Sequence, residues 1–503
     1  MIRRSLFLLS FGILSSPSRI WGIFRSPCLL LITCLLEHEG GKRDMGDGTD
    51  LGNGQNRNGA LKRRDRLDYP CCEGEPVNPD PAYQPILDQA YDLKNNGRIT
   101  EVFDLLTQHA HLPKLPLQEA RTEYLFAEYF TALEQQLDAQ QVPERERPHD
   151  FFGQAADHYA RAADIARNIS DLALAAQLKA RESKTCYFSD PRRKRYRRAY
   201  EAAQQALNIW EELADRKIAT DLEYGFTLGD LLGLCAGMVA EEGEAVRGLD
   251  YAAFCLLDLQ RLPDTDPAQY ANNELFLDWD WTHLLFTTGH YRKAFKKALQ
   301  TRKKGHELFT TRNRARFQAH IAGIMLACAE EGRVGGHSRV RLLAASDRAI
   351  FEAYEWAEVC KKIGQQDRAA YAMILLADAQ YMGVAGKLKG RVAKIEEAQR
   401  IATALDDILL MSRVEIAWGD EYALQYARRP SKRLKERVEL HYQQAIAMLE
   451  DVEAHGQARR ARARRERFRN PPRPQPTDSQ EDPGNSAPQA PHAPPPDFDP
   501  SRN

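Results

Sequence analysis

Apolar residues recur at intervals of three and four positions from about residue 82 to about residue 455. The same range is rich in Ala, Leu, Glu, Gln, Arg and Lys, which favour helices, and almost none of it alternates as a strand does. Its prolines fall between the periodic segments and interrupt none of them, as expected at helix boundaries. The pattern therefore predicts an all-α domain.

One packing motif repeats along this range: an aromatic or aliphatic residue, then alanine three positions later, then a small or aliphatic residue seven positions later. These three positions share one helix face, where alanine lets a neighbouring helix approach closely. The motif predicts helix pairs whose second members carry it. Clear copies begin at Tyr159, Tyr196, Tyr291, Ile350 and Ile395, and looser copies at Ile99, Tyr251 and Tyr442.

The first helix of each pair is predicted to precede a motif copy. A single pair cannot bury its apolar face, so the pairs should stack into one elongated domain with a concave groove lined by the first helices. These helices are predicted at 117–137, 171–187, 219–240, 270–287, 313–330, 366–382 and 405–427.

The turn Gly289–His290 followed by Tyr291 and Ala294, and a similar turn at Gly97, resemble the tetratricopeptide repeat (TPR) family. The resemblance covers residues 82 to 455. Its spacing departs from the family, because the motif copies are 37 to 60 residues apart against about 34 in a standard repeat. It is nearest to the degenerate, long repeats of bacterial regulatory proteins. The resemblance implies a right-handed α-solenoid of about seven to eight helix-turn-helix repeats, which binds a peptide or partner segment in its groove.

The two ends of the chain differ from the middle, so three regions are expected: a leader at 1–80, the solenoid at 81–455 and a tail at 456–503. Arg3, Arg4 and the apolar run Leu6 to Leu14 have the form of a secretory signal or membrane-associating segment, but the favoured interpretation is an upstream extension of the reading frame, with an internal start at Met45. A second apolar run of nine residues is too short for a membrane span, which needs about 20. The tail has an Arg-rich helix end, read as solvated and frayed, and then 11 of the 26 prolines, which predicts disorder.

Composition excludes some classes of function. The 70 Lys and Arg balance 71 Asp and Glu, so the chain is not an overall basic nucleic-acid binder. Nine cysteines form no C-x-x-C pair, and the 13 histidines form no metal pattern. We therefore expect reduced thiols, a cytoplasmic location, and neither a metal nor a cofactor.

Three strings have an enzyme-like form but lack the context that catalysis needs. Cys235, between Gly233 and Gly237, resembles a nucleophile elbow without its strand. The Gly383–Gly390 segment lacks the first glycine and the hydroxyl of a phosphate loop. Asp278 and Asp280 are two positions apart and should point away from each other on a helix. The chain is therefore expected not to be an enzyme.

The leading hypothesis is a non-catalytic scaffold for protein interactions, as a sensing part of a regulatory system. Polar and aromatic residues that break the apolar period of the first helices are the candidate groove contacts. They are Lys184, Tyr224, Asn273, Trp281, Arg316, His320 and Tyr371.

The alternative is association with nucleic acid or the ribosome through Arg-rich clusters, which supply affinity for phosphates independent of sequence. The clusters begin near residues 192, 432 and 459. The candidate basic patch consists of Arg192, Arg193, Lys194, Arg195, Arg459, Arg460, Arg462, Arg464 and Arg465. The partner's identity and the oligomeric state are left open.

Overall fold

The computed structural model describes residues 82–139, 149–189, 193, 195–216, 221–262, 266–330, 338–364 and 366–471. Within these ranges the chain forms seventeen α-helices and no strand. The predicted leader, most of the predicted Pro-rich tail, and the patch residues Arg192 and Lys194 lie outside the described residues.

The helices follow one another as eight pairs and a final single helix. The first members are α1 (Gln84–Asn95), α3 (Pro116–Ala139), α5 (Leu172–Phe188), α7 (Leu222–Val239), α9 (Pro267–Thr287), α11 (Thr311–Glu330), α13 (Arg368–Val384) and α15 (Ile408–Arg428). The second members are α2 (Ile99–Gln108), α4 (Phe151–Asn168), α6 (Tyr196–Asp215), α8 (Glu242–Leu259), α10 (Tyr291–Leu308), α12 (Arg339–Lys362), α14 (Arg391–Leu405) and α16 (Lys432–Asp451). The last helix is α17 (His455–Arg469).

The packing motif occupies the core, as predicted. Its alanines are fully buried in the clear copies: Ala162, Ala199, Ala294, Ala353 and Ala398. The observed first helices differ from the predicted ranges by no more than a few residues. The prediction of an all-α solenoid built from helix-turn-helix repeats is confirmed.

Aspartate begins most of the first helices. An Asp side chain at the N-cap accepts a hydrogen bond from a backbone N–H that has no partner inside the helix, which fixes where the helix starts. This cap begins five of the eight first helices. They are α5, α7, α9, α13 and α15, which begin at Asp171, Asp221, Asp266, Asp367 and Asp407.

Helix α7 contacts its partner backbone to backbone. A Cβ atom on Gly229 would lie 2.6 Å from the carbonyl oxygen of Gly248 on α8, so neither position has room for a side chain. Among the described helices, α7 alone is long and apolar enough to cross a membrane, and 67% of it is buried inside the stack. Its apolar composition is thus explained by its place in the core.

Helix α17 folds back onto the middle of the solenoid. A Cβ atom on Gly456 would lie 2.1 Å from the carbonyl oxygen of Gly237 on α7. Gln457 Nε2 lies 3.7 Å from Met238 Sδ, a contact that spans 219 residues of sequence. Ala458 and Ala461 are fully buried. The Arg-rich segment therefore differs from the solvated, frayed helix end expected from its sequence, because its small residues permit close packing.

Candidate functional site: the groove lined by the first helices

The concave side of the solenoid is formed by the first helices. Most of these helices contact the next first helix in the stack. The contacts join α5 with α7, α7 with α9, α11 with α13, and α13 with α15. Helices on the inner side of a curved stack lie closer together than those on the outer side. Helix α17 contacts α7 and α9, so it closes the C-terminal half of this groove.

Two of the predicted contact residues are buried within the stack. Arg316 is 5% exposed, and its Nη2 atom lies 2.5 Å from Asp367 Oδ2, so this pair joins α11 to α13. Asn273 is 4% exposed. Burial of this kind suits a role in holding adjacent repeats together.

The other predicted residues are half-buried. The ring of Tyr224 meets Trp210 edge to face, with centroids 4.8 Å apart. Trp281 packs against the core, whereas its neighbour Trp279 is buried among phenylalanines. Tyr371 lines a cavity of about 120 Å³ between the ends of α12 and α13. Lys184 and His320 belong to two separate clusters.

The first cluster, here called the tyrosine cluster, lies on α1, α3, α4 and α5. Its centre is Glu128, whose Oε1 atom accepts hydrogen bonds from Tyr159 Oη at 2.5 Å and from Arg181 Nη1 at 2.8 Å. Lys94 Nζ lies 3.7 Å from the other carboxylate oxygen. The cluster consists of Lys94, Tyr124, Glu128, Tyr159, Arg181 and Lys184.

Charge pairing decides the protonation states of the tyrosine cluster. Burial alone would raise the pKa of Glu128, but Arg181 and Lys94 outweigh it and hold the pKa of this carboxyl below its ordinary value. Burial, and next the charge of Arg181, lower the pKa of Lys184 to about 7. The Glu128 carboxylate thus stabilises the cations Lys94 and Arg181, whereas the third basic side chain, Lys184, loses its proton near neutral pH.

The second cluster, here called the basic cluster, consists of His283 on α9, His320 on α11, Arg413 on α15 and Arg460 on α17. The two imidazole rings lie 5.4 Å apart, and His320 meets Phe286 at 5.5 Å. The Arg460 guanidinium lies 3.9 Å above the Phe286 ring. Helices α9, α11 and α17 thus bring His283, His320 and Arg460 around Phe286, and Arg413 on α15 lies near enough for its charge to act on all three.

Burial and like charge act in the same direction in the basic cluster. Burial, with the charges of Arg413 and Arg460, lowers the pKa of His283 to about 4. Burial and the neighbouring charges of Arg464 and Arg413 lower the pKa of Arg460 to about 10. At neutral pH His283 is therefore neutral, and the cluster carries the charge of its two arginines.

The other arginines of α17 form ion pairs. Arg464 Nη1 lies 2.5 Å from Asp420 Oδ2, and Arg465 Nε lies 2.7 Å from Glu439 Oε2. Arg459 pairs with Glu242, and Arg462 pairs with Glu450. Of the predicted patch, Arg460 and Arg464 are directed towards first helices, since Arg460 stacks on Phe286 of α9 and Arg464 pairs with Asp420 of α15.

The N-terminal part of the predicted basic patch is described at two positions. Arg195 pairs with Asp150, the N-cap residue of α4. Arg193 is exposed. The start of α6 nevertheless lies beside the start of α17, because the Arg197 N–H donates a hydrogen bond to Glu453 at 3.1 Å. Arg197 also pairs with Glu241, the neighbour of the Arg459 partner Glu242.

A pair of carboxyl groups also faces the groove. Asp230 on α7 and Asp280 on α9 interact by a side-chain hydrogen bond, and burial raises the pKa of Asp230 to about 6. Asp278 points away from Asp280, as predicted, and lies 2.9 Å from Lys304 on α10. The pairing of Asp230 with Asp280 was missed because 50 positions separate them, and single-sequence periodicity carries no long-range information.

The enzyme-like strings have structural explanations. Cys235 is fully buried, and burial raises the pKa of its thiol to about 12, which keeps it protonated. The Gly383–Gly390 segment is a turn between α13 and α14, with Gly386 and Gly390 at φ of +74° and +87°. Among the described residues no group of three metal-ligating side chains occurs.

Comparisons with known proteins give weak likenesses. No family model matches the chain, and no curated protein sequence matches it. RapI in its apo form gives a TM-score of 0.40 at 10% identity, over 77% of this chain and 99% of RapI. A Rap protein complexed with competence and sporulation factor gives 0.36 at 10% identity, over 76% and 96%. Likenesses of this strength establish neither a family nor a function for this chain.

Proposed function

We propose that the chain is a non-catalytic scaffold that binds a peptide or a segment of a protein partner in the groove of the first helices. One observation carries the proposal. Buried side-chain atoms without a hydrogen-bond partner among the described residues are concentrated on first helices. They include Tyr91 Oη, Asp230 Oδ1, Asn273 Oδ1, Asn313 Nδ2, Gln318 Oε1 and His320 Nε2.

A buried polar atom without a partner costs about 1 to 3 kcal/mol, and native proteins keep few of them. Their concentration on the first helices supports a binding surface, because an extended segment could supply donors and acceptors along its whole backbone. One further atom of this kind, Arg195 Nη1, lies at the start of the second helix α6. Half-buried aromatic rings on the same helices, Tyr224 and Trp281, would supply apolar contact area.

The alternative, binding of nucleic acid, has less support from the described residues. Six arginines of α17 have carboxylate partners, which neutralise the charge that a phosphate backbone would need. The groove is therefore the favoured binding surface.

The proposal is tested with the full chain as bait in a lysate of its native host, followed by affinity measurements on the captured partner. Trp281→Ala and Tyr224→Ala should each weaken binding about 30-fold, the equivalent of about 2 kcal/mol. Phe351→Ala is the matched control, because Phe351 lies on a second helix and is 62% exposed.

Two results would contradict the proposal. One is a partner that binds both groove variants as tightly as it binds the wild type. The other is binding that falls linearly with salt on logarithmic axes and is lost when Arg459, Arg462 and Arg465 are replaced, which would favour the nucleic-acid alternative.

A further inference from the structure

The basic cluster contains two guanidinium groups without carboxylate partners. Within the part of the chain that the structure describes, neither Arg413 nor Arg460 lies within ion-pair distance of an Asp or Glu side chain. Arg413 Nη1 instead lies 3.0 Å from Met373 Sδ. A buried charge without a counter-charge is costly, and proteins normally pair it.

The acids whose charges act on the two arginines, Glu330 on Arg460 and Asp407 on Arg413, form no ion pair with them and have other partners. Asp407 Oδ1 accepts a hydrogen bond from the Leu410 N–H at 3.1 Å. Glu330 accepts a hydrogen bond from Arg467 at 3.1 Å and another from Gln380 at 3.2 Å. Asp420 pairs with Arg464 and accepts a hydrogen bond from Tyr442 Oη at 2.6 Å. Asp420 and Glu330 thus neutralise Arg464 and Arg467. They form no ion pair with Arg413 or Arg460, so positive charge remains in excess there.

Stacking orients the Arg460 side chain. Its guanidinium lies 3.9 Å above the Phe286 ring, which satisfies one face through a cation–π contact and leaves the N–H donors at its edge. Planar donors of this kind match a carboxylate or phosphate in a two-point contact. The neighbouring His320 has a buried Nε2 atom with no hydrogen-bond partner in the described residues.

We propose that Arg413, Arg460, His283 and His320 form an oxyanion-binding site, which holds a carboxylate or a phosphate carried by the occupant of the groove. The inference rests on the proposed function for the identity of the occupant, but the site itself is defined by its four side chains. In the bound state the oxyanion lies between the two guanidinium groups, and the imidazoles donate hydrogen bonds to its remaining oxygens.

The site places α17 in a second role besides closing the groove. Arg460 is contributed by α17, whereas the other three residues come from α9, α11 and α15. A bound oxyanion would therefore join the C-terminal helix to the middle of the solenoid. Binding in the groove and docking of α17 should accordingly reinforce each other.

The test uses the full chain and two small anions, inorganic phosphate and succinate, measured by calorimetry at constant ionic strength. The wild type should bind at least one of them saturably with a stoichiometry of one, and the anion that binds more tightly distinguishes phosphate from carboxylate recognition. Arg413→Gln and Arg460→Gln should each weaken binding at least tenfold. Arg462→Gln is the matched control on the same helix, because Arg462 pairs with Glu450 at the exposed surface.

The lysine variants Arg413→Lys and Arg460→Lys keep the charge but lose the two-point contact, so they should bind with intermediate affinity. If a glutamine variant fails to fold, the anion affinity of the corresponding lysine variant tests the proposal in its place. The proposal is overturned if neither anion binds the wild type, or if Arg462→Gln weakens binding as much as Arg460→Gln.

The two proposals fail separately. If neither anion binds but Trp281→Ala still weakens the captured partner, the oxyanion site is wrong and the groove stands. If phosphate or succinate binds as expected but the captured partner ignores the groove variants, the proposed scaffold function is wrong and the site belongs to a small-molecule ligand.

Discussion

The tyrosine cluster and the basic cluster contain similar side chains in different electrostatic states. In the tyrosine cluster, Lys94 and Arg181 lie 5.3 and 5.2 Å from the centre of the Tyr124 ring, and Glu128 lies among them. In the basic cluster, Arg460 lies against Phe286 in the same manner, but no described carboxylate lies within ion-pair distance of it. The presence of one acid is therefore the principal difference between the two regions.

This difference separates a structural network from a binding site. A cation that has its counter-ion inside the protein is already stabilised, so it gains little from an outside ligand. A cation held in a groove without a counter-ion gains much more from an anion that enters. The tyrosine cluster should therefore support the fold, and the basic cluster should bind a ligand.

The largest expected effect comes from removing the acid of the tyrosine cluster. Glu128→Gln leaves Arg181 and Lys94 without a charged partner and weakens the hydrogen bond from Tyr159. The free energy of unfolding should fall by about 3 kcal/mol, measured by urea denaturation.

Urea denaturation of the Arg413→Met variant should show no such loss of stability when no anion is present. This substitution removes a buried charge that has no carboxylate partner, so stability should be unchanged or slightly higher. A loss of similar size in both variants would show that the two clusters do not differ, and would remove the basis of the comparison.

Much of the fold could be predicted from local pattern, because each repeat is built from contacts between neighbouring helices. The periodicity and the buried alanines, such as Ala294, place the helix pairs and their order. The docking of α17 could not be predicted, since its contact with Gly237 joins residues more than 200 positions apart.

The candidate site could be predicted only in part, for the same reason. His320 and Arg460 were identified as members of two separate surfaces, whereas the structure brings them together around Phe286. His283 and Arg413 carried no signal in the sequence, because a single histidine or arginine on a helix has no spacing that distinguishes it.

A second, smaller effect tests the closure of the basic region by α17. Gly456→Ala places a Cβ atom against the backbone of Gly237, which cannot move without disturbing α7. We expect a loss of about 2 kcal/mol, the usual scale for overpacking, and faster tryptic cleavage within α17. Gly243→Ala is the matched control, because its Cβ would meet nothing within 4 Å, and it should be neutral or slightly stabilising. Equal losses in the two variants would show that α17 does not depend on this contact.

The smallest expected effect is a pH dependence of the free energy of unfolding, which Lys184 of the tyrosine cluster should cause. Burial lowers the pKa of Lys184 from its ordinary value of 10.5 to about 7 in the folded chain. Between these values the unfolded chain binds a proton that the folded chain has released, so the contribution of Lys184 to stability rises as the pH increases. Relative to a Lys184→Met variant, the wild type should gain about 1 kcal/mol between pH 7 and pH 8.

Urea denaturation of both chains at several pH values between 6 and 9.5 measures this difference. Well below pH 7 the lysine is charged in both states, so the difference between wild type and variant should level off towards pH 6. The basic cluster is the same in both chains, so the titration of Arg460, whose pKa is about 10, cancels from this difference. A pH-independent difference from pH 6 to pH 9.5 would mean that Lys184 stays fully solvated, and that the tyrosine cluster is open to water and less self-contained than its contacts indicate.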